Sequence, residues 1–193
     1  MIENNLVETG FHIIDDFLDR PIYQLLCQQA QTTYQSGHFK AANVGRATTE
    51  AHKPTIRNDD ICWLDPDPNN SPLLTFYTAI EQLRTQLNQS LFLGLNHFES
   101  HFAVYQPGKF YKKHIDQFKT NKERRISCVY YLNETWQPSH GGELIIYNQN
   151  EEIISQIEPM GNRFICFNST LLHEVLTTHH TRYSIAGWLK TRS

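Results

Sequence analysis

The chain has 193 residues, 17 basic and 20 acidic side chains, a formal charge of −3, and 39% hydrophobic residues. That size and apolar content suit one domain whose core needs no disulfide or metal staple. The charges are balanced and scattered, so the basic stripe that neutralises nucleic-acid phosphates is missing and no direct nucleic-acid partner is expected. No apolar run approaches the ~18 residues that cross a bilayer. The N-terminal MIENNLVETG also lacks the basic-then-apolar pattern of a leader, so a cytoplasmic protein without membrane contact is expected.

In chain order, Phe17, Leu18, Ile22, Leu25, Leu26 and Ala30 recur at three- and four-residue steps. That spacing predicts an amphipathic helix from Phe17 to about Ser36, with Asp19 and Pro21 suited to its start. The following KAANVGRATTEAHKPTIRNDD is polar and punctuated by Gly45 and Pro54, and loops of that length in a small domain usually serve function. A second helix is predicted from Ser71 to about Leu91, with Pro72 just inside and Leu73, Phe76, Tyr77, Ile80, Leu83 and Leu87 on one face. After Phe98 the texture changes to short β-rich runs, SHFAVYQ, ISCVYYL, GELIIY, RFICF and RYSIAGWL, separated by PGK, PSHGG, PMGN and HHT. Helices followed by a run of antiparallel strands predict an α+β fold, a double-stranded β-helix (jelly roll) with its helices packed on one sheet. Cys27, Cys62, Cys128 and Cys166 form no C-x-x-C pair and read as buried, reduced side chains.

The pattern with the most chemistry is His114-x-Asp116, followed much later by His173. Residues two apart on a strand face the same way, so His114 and Asp116 can present an imidazole and a carboxylate together. A distant histidine then completes the two-histidine, one-carboxylate set of non-haem Fe(II) oxygenases, which leaves neighbouring coordination positions open. Ten histidines make chance pairings common, and a surface histidine beside a loop aspartate is the competing reading. Arg182, just beyond the HHT turn, adds a guanidinium fork able to take the far carboxylate of a 2-oxo diacid. His179 and His180 compete for the third ligand position, but their spacing to Arg182 favours His173. No H-E-x-x-H, G-x-S-x-G, Walker or G-x-G-x-x-G sequence occurs.

Six ordered motifs lie between Lys40 and Trp188: IRNDDICWLD (Ile56 to Asp65), VYQPGKFYKKHID (Val104 to Asp116), CVYYLNETW (Cys128 to Trp136), GGELIIY (Gly141 to Tyr147), HEV (His173 to Val175) and TRYSIAGW (Thr181 to Trp188). In these the chain resembles the 2-oxoglutarate and Fe(II)-dependent prolyl hydroxylases of the oxygen-sensing type and their bacterial relatives. The resemblance implies that His114, Asp116 and His173 bind iron and that Arg182 pairs with the C5 carboxylate of 2-oxoglutarate. It implies that Tyr131 donates its phenol to that carboxylate, that Tyr105 lies near the iron-chelating end of the cosubstrate, and that Leu144 and Trp188 line the pocket. Without the resemblance, Tyr105 and Tyr131 are aromatic strand residues whose ordinary role is packing.

The same comparison puts Arg57, Asp59 and Arg124 at the substrate mouth, with Arg46 to Pro54 as a closing loop. A surface ion pair is the competing reading of Arg57 and Asp59. The expected reaction consumes dioxygen and 2-oxoglutarate, with ascorbate as candidate reductant, and 4-hydroxylates a prolyl residue of a protein or peptide, with translation and ribosomal proteins among the candidate partners. A small-molecule oxygenase would share every iron and cosubstrate residue, and a non-catalytic jelly-roll module would share only the fold. One oxygenase domain is expected over residues 1–193, divided into an N-terminal part (1–97) and the β core (98–190). The segment from Tyr105 to His114 is one residue shorter than in the animal oxygen sensors, and the chain stops soon after Trp188, so a stand-alone bacterial enzyme is the expected form.

Overall fold

Strand alternation organises the molecule, because the central strands of the larger sheet give one set of side chains to the helices and the other set to the cavity between the sheets. The computed structural model describes residues 2–43, 53–117 and 121–191. In chain order these form α1 (Ile2–Glu8), β1 (Phe11–Ile14), α2 (Arg20–Gln35), β2 (Lys40–Ala41), β3 (Asp60–Leu64), α3 (Ser71–Leu91), β4 (His97–Tyr105), β5 (Tyr111–His114), β6 (Arg124–Tyr131), β7 (Leu144–Tyr147), β8 (Ile153–Ile157), β9 (Phe164–Asn168), β10 (His173–Val175) and β11 (Arg182–Lys190). Two antiparallel sheets result, a major one in the order β1-β9-β6-β11-β4-β3-β2 and a minor one in the order β5-β10-β7-β8. This is the expected jelly roll with its helices on the outer face of one sheet.

Helix α3 runs over the predicted range, with Asn70 accepting a hydrogen bond from the Leu73 N–H and Pro72 in the first turn, where its missing donor costs nothing. Helix α2 begins at Arg20 rather than Phe17. The Phe17 N–H donates to the Asn162 carbonyl and the Leu18 N–H to the Asn162 side chain, so both residues are committed to the loop before β9. Phe17 still serves the core, stacked on Phe164 at 4.3 Å.

Leu26, Ala30, Leu73, Phe76, Ile80 and Leu87 pack against Phe102, Ile126, Cys128, Tyr130, Phe164, Ile185 and Leu189 of the major sheet. The residues of opposite parity, including Ala103, Tyr105 and Tyr131, meet Leu144, Ile146 and Val175 of the minor sheet in a second apolar cluster. A one-residue slip would send the cavity set into the helices, so the packing on both faces fixes the register. Cys27, Cys128 and Cys166 are buried and all four cysteines are free; Cys62, expected buried, is partly exposed on β3 near the sheet edge. Among the described residues no helix is long and apolar enough to cross a membrane.

Candidate active site

A cavity opens between the two sheets, lined by His114, Asp116 and His173 toward the minor sheet and by Arg182, Ser184 and Trp188 from the major one. His114 and His173, far apart in sequence, are direct register partners in the antiparallel pair β5–β10, and their rings lie 4.1 Å apart. Asp116 is not on that strand, contrary to the alternation argument. Strand β5 ends at His114 and Asp116 lies in the following bend, where the Gln117 N–H donates to the Ser169 carbonyl and the Gln117 amide to the Arg124 carbonyl. These bonds reach across to the major sheet, so the carboxylate is delivered by the seam between the sheets.

The His114 Nε2 lies 3.5 Å from Asp116 Oδ1, and the His173 Nε2 lies 3.6 Å from Oδ2. One ligand atom from each of the three residues falls within 4.8 Å of the other two, the only such metal-competent group among the described residues. The His114 Nδ1 meets the Lys112 carbonyl at 2.8 Å and the His173 Nδ1 meets the Leu171 carbonyl at 2.9 Å. A carbonyl only accepts, so each Nδ1 carries the proton and each inward Nε2 presents its lone pair, as metal coordination requires.

Burial, reinforced by the neighbouring His114, lowers the His173 pKa to about 4, against the attraction of Asp116. Burial alone would raise the Asp116 pKa; His173, His114 and the Ser127 hydroxyl outweigh it and hold the carboxyl well below its usual range. Two buried serines support that carboxylate. Ser127 Oγ donates to Asp116 Oδ2 at 2.7 Å and lies 2.9 Å from Ser169 Oγ. The sequence reading missed both serines. Ser127 shares the parity of Val129 and Tyr131 on β6 and was legible by alternation, whereas nothing local marks Ser169.

At the inner end, Arg182 is 2% exposed and forms no ion pair with a carboxylate among the described residues. Its Nε has no hydrogen-bond partner, and an Nη reaches only Ser184 Oγ at 3.5 Å. Its guanidinium carbon sits 4.8 Å from the Tyr131 ring and 5.0 Å from the Tyr105 ring. The Tyr131 hydroxyl is buried with no partner at hydrogen-bond distance among the described residues; burial raises its pKa and the neighbouring Arg182 opposes the rise. Tyr105 is the register partner of Arg182, so its ring stands at the arginine end of the cavity, whereas the resemblance put it near the iron-chelating end of the cosubstrate. Gly142 makes room for this arginine: at φ +69, any Cβ there would meet Arg182 Cδ and the Thr178 side chain at 3.1 Å. Leu144 and Trp188 line the cavity walls.

At the mouth, Arg57 and Asp59 form a two-bond ion pair of 2.7 and 2.9 Å. Asp59 is fully buried and the Arg57 side chain 12% exposed, so the competing reading was right about the pairing and wrong about the surface. Arg57 lies over the Tyr111 ring at 4.8 Å, and Tyr111 stacks on His114 at 3.5 Å, which links the mouth to a candidate ligand. The Arg124 guanidinium lies 3.5 Å over the Trp188 ring and bonds Glu99. His179 and His180 are exposed, with His180 stacked on His140, and neither joins the three-residue group or lines the cavity. Most of the expected closing loop, residues 46–52, lies outside the described residues.

A bound metal and a dicarboxylate fit these residues on two independent grounds. Three donors converge with their lone pairs turned inward, and a buried cation beside an unpartnered phenol leaves a charge that calls for an anion.

Residues 100–190 match the family model of the 2OG-Fe(II) oxygenase superfamily. The chain is 25% identical over 190 residues to the prolyl hydroxylase EGLN3 of Mus musculus, covering 95% of this chain and 79% of that one. It superimposes with a TM-score of 0.88 on the crystal structure of a Pseudomonas putida prolyl-4-hydroxylase, at 33% identity and covering 100% of this chain and 98% of that one. A prolyl hydroxylase from Trichoplax adhaerens, solved with a peptide fragment of the hypoxia inducible factor oxygen degradation domain, matches at 28% identity and a TM-score of 0.88, covering 99% and 88%.

Proposed function

The chain belongs to the 2-oxoglutarate and Fe(II)-dependent prolyl hydroxylase family, and from that membership we propose that it 4-hydroxylates a prolyl residue of a protein or peptide, acting as one oxygenase domain over residues 1–193. The observation that carries the reading is Arg182, a buried guanidinium without a carboxylate partner among the described residues, in the cavity that also holds the three convergent donors.

In this reading His114, Asp116 and His173 hold the iron through their inward atoms. Bound Fe(II), with 2-oxoglutarate and dioxygen, supplies the oxidising equivalent that puts one oxygen atom into a C–H bond while the cosubstrate becomes succinate and carbon dioxide. Arg182 takes the C5 carboxylate in a charge-assisted fork, and the Tyr131 hydroxyl donates to the same group. Tyr105 packs along the cosubstrate and orients it, while Leu144 and Trp188 close the sides and keep water away. Ser127 and Ser169 hold the Asp116 carboxylate in one orientation, leaving an oxygen free for the metal. The Arg57–Asp59 pair and Arg124 frame the mouth where a polypeptide would lie. The peptide bound by the Trichoplax relative supports a polypeptide substrate, and translation and ribosomal proteins are among the candidate targets.

The test is to incubate the purified protein with Fe(II), 2-oxoglutarate and ascorbate in air, together with proteins of its own host, and to map products by mass spectrometry. One added oxygen on a proline, formed together with succinate and absent from an Asp116→Ala variant, is the expected result. Succinate released equally with and without added polypeptide, and no modified proline, would overturn the proposal.

A further inference from the structure

His101 is 1% exposed, lines the same cavity, and has no hydrogen-bond partner at either ring nitrogen among the described residues. Burial first, then the Arg57 and Arg124 charges, hold its pKa well below the usual value against Asp116, so the ring is neutral and offers one N–H and one bare nitrogen. Trp63 meets the ring at 5.0 Å and Trp188 at 5.5 Å, fixing its place without satisfying either nitrogen. Buried polar groups are almost always hydrogen-bonded, and a pair of orphaned ring nitrogens on a cavity wall points to a partner supplied by whatever fills that cavity.

The register identifies which part of the occupant lies nearby. On β4 the cavity face carries Tyr105, Ala103 and His101, opposite Arg182, Ser184 and Ala186 of β11. Between the arginine and the histidine the wall is therefore built from small side chains, which leave a slot. From Tyr105 to His101 the strand covers roughly 13 Å at about 3.3 Å per residue, which sets the histidine end of the slot apart from the arginine end. The slot's other wall carries the three convergent donors.

We propose that His101 binds the 2-oxo acid end of 2-oxoglutarate, its ring N–H donating to an oxygen at that end while Arg182 holds the opposite carboxylate. This rests on the cosubstrate reading above and adds a contact to it. His101 is then a binding residue for the cosubstrate, whose oxygen supplies the acceptor that the ring N–H lacks within the protein.

The test uses protein loaded with Mn(II), which holds the site without turnover, and measures 2-oxoglutarate and succinate affinities calorimetrically. Succinate keeps a dicarboxylate's far end and lacks the 2-oxo acid. His101→Leu should lose at least about tenfold in 2-oxoglutarate affinity, about 1.4 kcal/mol, with succinate and Mn(II) affinities unchanged. His101→Gln, which keeps an amide donor, should recover part of the loss. The ligand-free leucine variant should unfold at no lower a temperature than the wild type. His101→Met gives the same comparison where the leucine variant fails to fold. An affinity for 2-oxoglutarate within about twofold of wild type, or equal losses for both diacids, would overturn the assignment by reducing His101 to packing. If the wild-type Mn(II) protein binds no 2-oxoglutarate, the cosubstrate reading itself fails, a result separable from a defect confined to the variant.

Discussion

Replacing Arg182 with methionine separates a binding arginine from a structural one, because the two roles predict opposite changes in stability. The guanidinium is buried, its Nε is unpartnered and no carboxylate pairs with it among the described residues. Removing an unsatisfied buried group recovers about 1–3 kcal/mol, so Arg182→Met should be as stable as the wild type or more so. Cosubstrate should act the other way. At a concentration of about 100 Kd, 2-oxoglutarate stabilises wild-type Mn(II) protein by about 2.7 kcal/mol, which for a chain of this size raises the unfolding midpoint by roughly 5–10 °C. Losing one member of a buried charge pair costs about 2–5 kcal/mol, so the variant's affinity should fall by roughly thirtyfold or more and the same ligand concentration should shift its midpoint by less than about 3 °C. Thermal unfolding of both proteins with and without 2-oxoglutarate gives all four numbers. A variant that keeps the full ligand shift, or whose ligand-free form is weaker than wild type by more than about 2 kcal/mol, would refute the reasoning.

Ser127→Ala should weaken Mn(II) or Fe(II) binding by about 10- to 100-fold in a metal titration, and Ser127→Thr should restore it, because the hydroxyl rather than the volume orients Asp116. The metal-free protein should lose stability in mild acid: His173 titrates near 4 when folded and near 6.5 when unfolded, so the unfolded chain binds the proton first as pH falls. Between about pH 7 and pH 5, urea unfolding should therefore show roughly 2 kcal/mol more loss for wild type than for His173→Gln, and parallel curves would contradict the assignment. Arg57→Leu leaves a fully buried Asp59 uncompensated and should cost about 3–5 kcal/mol, with most of it recovered in the Arg57→Leu, Asp59→Leu double variant; a cost below about 1 kcal/mol would mean that solvent screens the pair.

The sequence made the α3 face, the long central strands and the identity of the three convergent donors legible, since each rests on local periodicity or on a motif that survives in one dimension. The path by which the donors meet was not legible. His114 and His173 converge through a three-residue strand, β10, too short to carry a periodic signal, and Asp116 arrives by a bend tied to Ser169 rather than by strand alternation. The early start given to α2 failed because Phe17 and Leu18 satisfy their backbone N–H groups through Asn162, a long-range bond that no window of sequence contains. Nothing in one dimension marks His101, because its burial between Trp63 and Trp188 depends on three strands coming into register.

The join at Asp116 has a consequence for how the molecule yields under iron starvation. The three donors sit where the helix-backed β-layer meets the thinner layer that leans on it, so an ion held by them would act as a rivet between the two. Withdrawing it should let amide hydrogens of β5 and β10 exchange with solvent well ahead of those in β6 and β11, which keep their helical backing. A cell short of iron would then hold a half-loosened protein, in which metal supply governs survival against proteases as well as turnover.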